Sequence, residues 1–103
     1  PTLIGEDVLI GHMAMIHGCI LHDRAFVGLG AIVMDGCVIG SEAMLGAGAL
    51  LPQHKQIGAR ELWTGRPARL VREIDDMMAA GMAMGVAHYV HNAEEHAAAV
   101  NQK

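Results

Sequence analysis

Aliphatic residues recur every six positions through the first half of the chain. The series is Ile4, Ile10, Ile16, Leu21, Val27, Val33, Ile39, Leu45 and Leu51, with a single step of five between Ile16 and Leu21. Two positions before each anchor lies a second series: Thr2, Val8, Ala14, Cys19, Ala25, Ala31, Cys37, Ala43 and Ala49. From Val8 onward every member is small or Val. Glycine follows several anchors, as at Gly5, Gly11, Gly28, Gly40 and Gly46. A helix cannot use this period, because six residues at 100° each place successive anchors about 240° apart. In a strand, residues two apart share a face. Each anchor and its small partner therefore point inward together, on a short strand followed by a corner. Three such sides close a triangular coil of about 18 residues, and coils stack at about 4.8 Å. The expected fold is a left-handed parallel β-helix of hexapeptide repeats over residues 1–56, followed by an α-helical tail.

The residue just before each anchor points outward. Those positions read Leu3, Leu9, Met15, Ile20, Phe26, Ile32, Val38, Met44 and Leu50, all apolar. Strand preference alone accounts for some of them, but not for the absence of any Thr, Lys or Glu. A lone solenoid would expose all three faces, so an obligate oligomer is expected. The repeat weakens after Leu51. Residues 57–68 read as an exit segment, with Pro, Gly and charges. Residues 69–103 read as a helical tail, because Leu70, Ile74, Met77 and Met78 are spaced as a helical stripe. Asp75 or Asp76 is the expected cap, and Gly81 and Gly85 weaken the middle. The chain opens at Pro1 already inside a repeat, so further coils are expected upstream.

Composition narrows the function. The chain of 103 residues is 52% hydrophobic but only 3% aromatic, so the interior is aliphatic. Phe26, Trp63 and Tyr89 are its three rings. A net charge of −4 without a Lys/Arg cluster argues against nucleic acid or an anionic membrane as partner. No apolar run approaches the ~20 residues that span a bilayer. Two cysteines are too few for a disulfide framework, which fits a reducing compartment, and a cytoplasmic location is expected. Cys19 and Cys37 both occupy the small inward slot and read as buried core residues.

Seven histidines are the main candidates for chemistry. His12 lies two residues after one anchor and His17 one residue after the next, both in outward slots. Along nearly extended chain they are about 15 Å apart. One Zn²⁺, with bonds of about 2.0–2.1 Å to nitrogen, cannot take both from one chain, but it can take one from each of two subunits. By spacing alone, two outward histidines also suit an ordinary polar surface. His22 reads as a corner residue, His54 sits in the exit loop, and His88, His91 and His96 read as solvated residues of the tail.

Three segments together resemble the γ-class carbonic anhydrase family. They are Gly11-His12-x4-His17-Gly18-Cys19, then Val27-Gly28-Leu29-Gly30-Ala31-Ile32-Val33-Met34-Asp35-Gly36, and Thr64-Gly65-Arg66-Pro67-Ala68-Arg69-Leu70-Val71-Arg72. The His-x4-His-Gly-Cys element is fairly specific. The Gly-x-Pro-Ala element also occurs in hexapeptide acyltransferases. The resemblance, which runs to about Tyr89, implies a homotrimer with Zn²⁺ or another divalent transition metal at each subunit interface. His12 and His17 are then metal ligands from neighbouring subunits, and Tyr89 is a weak substrate-side candidate. It implies reversible hydration of CO2 to bicarbonate by hydroxide on the metal. The family's third His ligand, and the Arg, Asp and Gln that shape its site, have no counterpart here. Two rivals stand beside this reading: a hexapeptide-repeat acyltransferase, which needs a general-base His beside a CoA cleft, and a non-enzymatic trimeric scaffold. Zinc content separates the enzyme readings.

Overall fold

The computed structural model describes residues 1–84. The chain winds as a three-sided parallel solenoid whose strands are mostly two residues long. The first coil holds β1 (Leu3–Ile4), β2 (Leu9–Ile10) and β3 (Met15–Ile16). The second holds β4 (Ile20–Leu21), β5 (Phe26–Val27) and β6 (Ile32–Val33). The third holds β7 (Val38–Ile39), β8 (Met44–Leu45) and β9 (Leu50–Leu51). A partial fourth coil begins with β10 (Gln56–Ile57) and β11 (Glu61–Gly65). Stacking produces three sheets, ordered β1-β4-β7-β10, β2-β5-β8-β11 and β3-β6-β9. The expected left-handed β-helix of hexapeptide repeats is the architecture found.

Register follows the sequence period directly. Leu3, Leu9 and Met15 pair with Ile20, Phe26 and Ile32, each 17 residues on. In the next coil, Ile20, Phe26 and Ile32 pair with Val38, Met44 and Leu50, each 18 residues on. The one-residue difference is the five-residue step between Ile16 and Leu21. Because each strand is so short, the ladder continues through the corners, as in Gly5 N donating to Leu21 O at 2.8 Å and Gly28 N to Leu45 O at 2.8 Å.

The inward register holds throughout the closed coils. Ala25, Val27, Ala31, Cys37, Ile39, Ala43, Leu45, Ala49 and Leu51 are all at 0% exposure. A large and a small residue alternate on each side, which fills a narrow interior without overpacking. Full burial of a Leu or Ile contributes about 1.5–3 kcal/mol, so the column of anchors is the main source of stability. Tight stacking also explains the glycine after many anchors. A Cβ at Gly28 would sit 2.5 Å from the backbone N of Ala47, and one at Gly11 would sit 2.7 Å from that of Leu29.

Two expectations for the C-terminal half are corrected. The solenoid does not end at residue 56. Ile57 is 2% exposed and pairs with Ile39, and Trp63 pairs with Leu45, so the six-residue series continues from Leu51 through both. The helical tail does not begin at residue 69 either. Residues Ala68–Glu73 form β12, which turns back antiparallel along β11, with Thr64 opposite Arg69 and Gly65 opposite Ala68. The Leu70–Ile74–Met77–Met78 spacing fits a helix only by coincidence. Leu70 is 53% exposed on β12, whereas Ile74 is buried after the strand has ended. The helix, α1, covers residues 76–84 of the described chain. Asp75 caps it, its carboxylate accepting from Met78 N at 2.8 Å. Its neighbour Asp76 pairs with Arg60, which also reaches Glu42, so the helix start is tied to one corner of the solenoid.

Cys19 and Cys37 are free thiols stacked on the same face of successive coils. Cys37 donates to the carbonyl of Pro52 at 2.9 Å. Burial pushes the Cys19 thiol up, and the neighbouring Cys37 adds to the shift. Both cysteines are therefore expected to react slowly with a thiol reagent in the native protein and quickly after unfolding. Fast native labelling would contradict the inward register. Ala43→Leu adds volume to a closed interior and is expected to cost about 1–3 kcal/mol in urea unfolding.

Candidate metal-binding corners

His12 and His17 sit on two different corners of the first coil. His12 follows β2, in the turn Gly11–His12–Met13–Ala14, where Ala14 N donates to Gly11 O at 3.3 Å. Met13 takes the left-handed conformation (φ 63°), and the His12 carbonyl accepts from Gly30 N at 2.9 Å in the coil behind. His17 follows β3, so one whole side of the triangle lies between the two rings. Both residues are exposed, as their outward slots predict.

The His17 corner is the short one. Between β6 and β7 the turn is Met34–Asp35–Gly36–Cys37, whereas the equivalent turn of the first coil is His17–Gly18–Cys19, one residue fewer. His17 N donates to Val33 O at 3.3 Å, and Met34 N to Leu51 O at 3.2 Å, so His17 and Met34 hold matching positions in successive coils. Gly18 takes φ 59°, and its N–H donates to Thr2 Oγ1 at 3.0 Å. A Cβ on Gly18 would sit 3.0 Å from Asp35 Oδ1. The bare α-carbon and the short turn together let the Asp35 carboxylate lean onto the His17 ring, where it contacts Nδ1.

Beside this pair is a concavity of about 530 Å³, with Met15, Ile32, Met34 and Gln53 among its walls. Its lining is mainly apolar, with His17, Asp35 and Gln53 as the polar side chains. The other candidate corner carries exposed apolar side chains, with Met13 at 86% and Leu29 at 58% exposure. Among the described residues, no three His, Cys, Asp or Glu side chains come together as one metal site. His12 and His17 stand on separate corners, so each could offer one nitrogen to a metal ion. The imidazoles are the right donors for such an ion, since neutral imidazole is a common ligand of Zn²⁺ and similar metals.

Of the other histidines, His22 is an exposed corner residue after β4. His54 takes φ 61° on the same corner column as Asp35, with its ring against Gly36. Tyr89, His88, His91 and His96 lie outside the described residues. The residue that sequence reasoning missed is Asp35. Its signal was the five-residue step itself: the 17-residue register sets His17 level with Met34, and Asp35 is the next residue, the one for which the shorter first-coil turn has no equivalent.

Comparison with known proteins decides the lineage. The chain is 42% identical over 98 residues to "Gamma carbonic anhydrase 1, mitochondrial" of Arabidopsis thaliana, a match covering 95% of this chain and 36% of that one. It is 46% identical over 102 residues to protein YrdA of Escherichia coli, covering 99% of this chain and 55% of that one. The chain belongs to the γ-carbonic anhydrase family of hexapeptide-repeat proteins. No family model matches it. Among solved structures, a Bacillus cereus protein provisionally named an acetyltransferase superposes with a TM-score of 0.81 at 30% identity, over 92% of this chain and 61% of that one. The chain thus spans between about a third and about half the length of the two curated relatives. Among the described residues, no helix is long and apolar enough to cross a membrane.

Proposed function

We propose that this protein is a metal-dependent carbonic anhydrase-type protein that works as a homotrimer. In this reading His12 of one copy and His17 of the next hold Zn²⁺ or another divalent transition metal at each subunit interface. The observation that carries it is the placement of the two rings on different corners of a single coil, facing outward. A single chain cannot bring them to one ion, and two adjoining copies can.

Three further features support the reading. Met13, Met15 and Leu29 are exposed around the two corners, at 86%, 65% and 58%. A surface this apolar favours burial against another copy. The mainly apolar concavity beside His17 suits an uncharged molecule such as CO2, with bicarbonate as the charged product. When bound, the metal acts as a Lewis acid that brings the pKa of water to about 7. His12 and His17 then serve to hold and orient it, with no proton-transfer role. Nucleic acid and membrane are not partners in this reading, and two buried free thiols suit a reducing compartment such as the cytoplasm.

A second reading, acyl transfer from an acyl-CoA, draws on the likeness to the Bacillus cereus protein at 30% identity. The two readings separate by what binds. His12→Ala and His17→Ala are each expected to remove most bound zinc and any CO2 hydration, while sedimentation still reports a trimer, because neither ring enters the core. Full zinc content in both variants, or acyl-CoA binding by a zinc-free protein, would favour the second reading.

A further inference from the structure

The contact between Asp35 and His17 has a consequence for the metal that goes beyond the choice of ligands. A carboxylate is an acceptor only, so the ring nitrogen that faces it carries the proton. Asp35 Oδ1 meets Nδ1 of His17. Nε2, on the other side of the ring from the Asp35 contact, then keeps its lone pair for another partner. In an unconstrained histidine the opposite tautomer, with the proton on Nε2, is the more populated one. The position that fixes this choice is built by the fold. Asp35 lies on the coil behind, and the one-residue-short turn removes the residue that would separate the two side chains. Gly18 has no Cβ, and one placed there would meet Asp35 Oδ1 at 3.0 Å.

We propose that Asp35 is a positioning residue that locks His17 in its Nδ1–H tautomer and so presents Nε2 to a divalent metal before the metal arrives. This rests on the metal-binding reading above. A ligating histidine whose other nitrogen donates to a carboxylate is held in orientation and made a better donor. Asp35 touches neither the ion nor the substrate, and it acts only through the imidazole.

The test uses the intact chain and two readouts. Long-range ¹H–¹⁵N correlation spectra of the metal-free protein, with His17 assigned from a His17→Gln variant, report the tautomer. The wild type is expected to show Nδ1–H at His17, and Asp35→Ala is expected to shift the ring toward Nε2–H. Zinc affinity, measured by competition with a chromophoric chelator, is expected to fall about 10- to 100-fold in Asp35→Ala. A purely structural role for Asp35 would leave the tautomer unmoved. An Nε2–H ring in the wild type, or equal zinc affinity in wild type and Asp35→Ala, overturns the positioning role alone. A wild type that binds no zinc overturns the metal reading itself, and the role of Asp35 with it.

Discussion

The narrowness of the coil interior is the constraint on which the rest of this molecule depends. Each side of the triangle has room for one large aliphatic side chain and one small one. That requirement sets the six-residue period, and parallel stacking at strand spacing forces successive coils into register. Once Val27 lies beneath Leu45, the outward slots and the corners are fixed as well. Side chains on the corners have no packing duty, so they are free to carry chemistry. Glycines recur where the backbone of one coil presses on that of the next, as Gly28 does on Ala47.

The one irregularity in the period creates the candidate site. Removing a residue from the turn after β3 leaves the core intact, because the deletion falls between two inward pairs. It changes only the corner, where His17 stands directly against Asp35 of the following coil. A six-residue turn at the same place would put another side chain between them. The site is thus made by a defect in an otherwise regular solenoid. The second candidate histidine, His12, is held on a neighbouring corner, so under the proposed function assembly would be part of the chemistry.

Much of this was legible in the sequence. The buried anchors from Leu21 to Leu51, the small inward slots of Cys19 and Cys37, and the outward placement of His12 and His17 all follow from one period, whereas in the first coil Ile4 is exposed and Leu9, expected outward, is buried. What escaped has physical causes. Ile57 and Trp63 continue the anchor series, but Pro52, His54 and Lys55 interrupt the pattern of small inward residues and glycines by which the repeat was recognised. Residues 69–73 suggest a helix by sequence because Leu70 and Ile74 are four apart, yet they belong to β12. Their pairing with β11 depends on a reversal at residues 65–67 that local periodicity does not encode. Asp35 was visible as a letter but not as a partner, because it sits in a turn one residue longer than that of His17, and the contact across coils appears only when the two unequal corners are stacked.

The central claim is that a metal at these corners draws His12 and His17 from different copies. Subunit mixing tests it most directly. His12→Ala and His17→Ala chains are unfolded together and refolded, mixed trimers are verified by native mass spectrometry, and bound zinc is measured. In a mixed trimer, one interface can join the intact His17 of one chain to the intact His12 of its neighbour. The account predicts that mixed trimers regain zinc that neither parent variant holds alone. Mixed trimers as empty as the parents would contradict it.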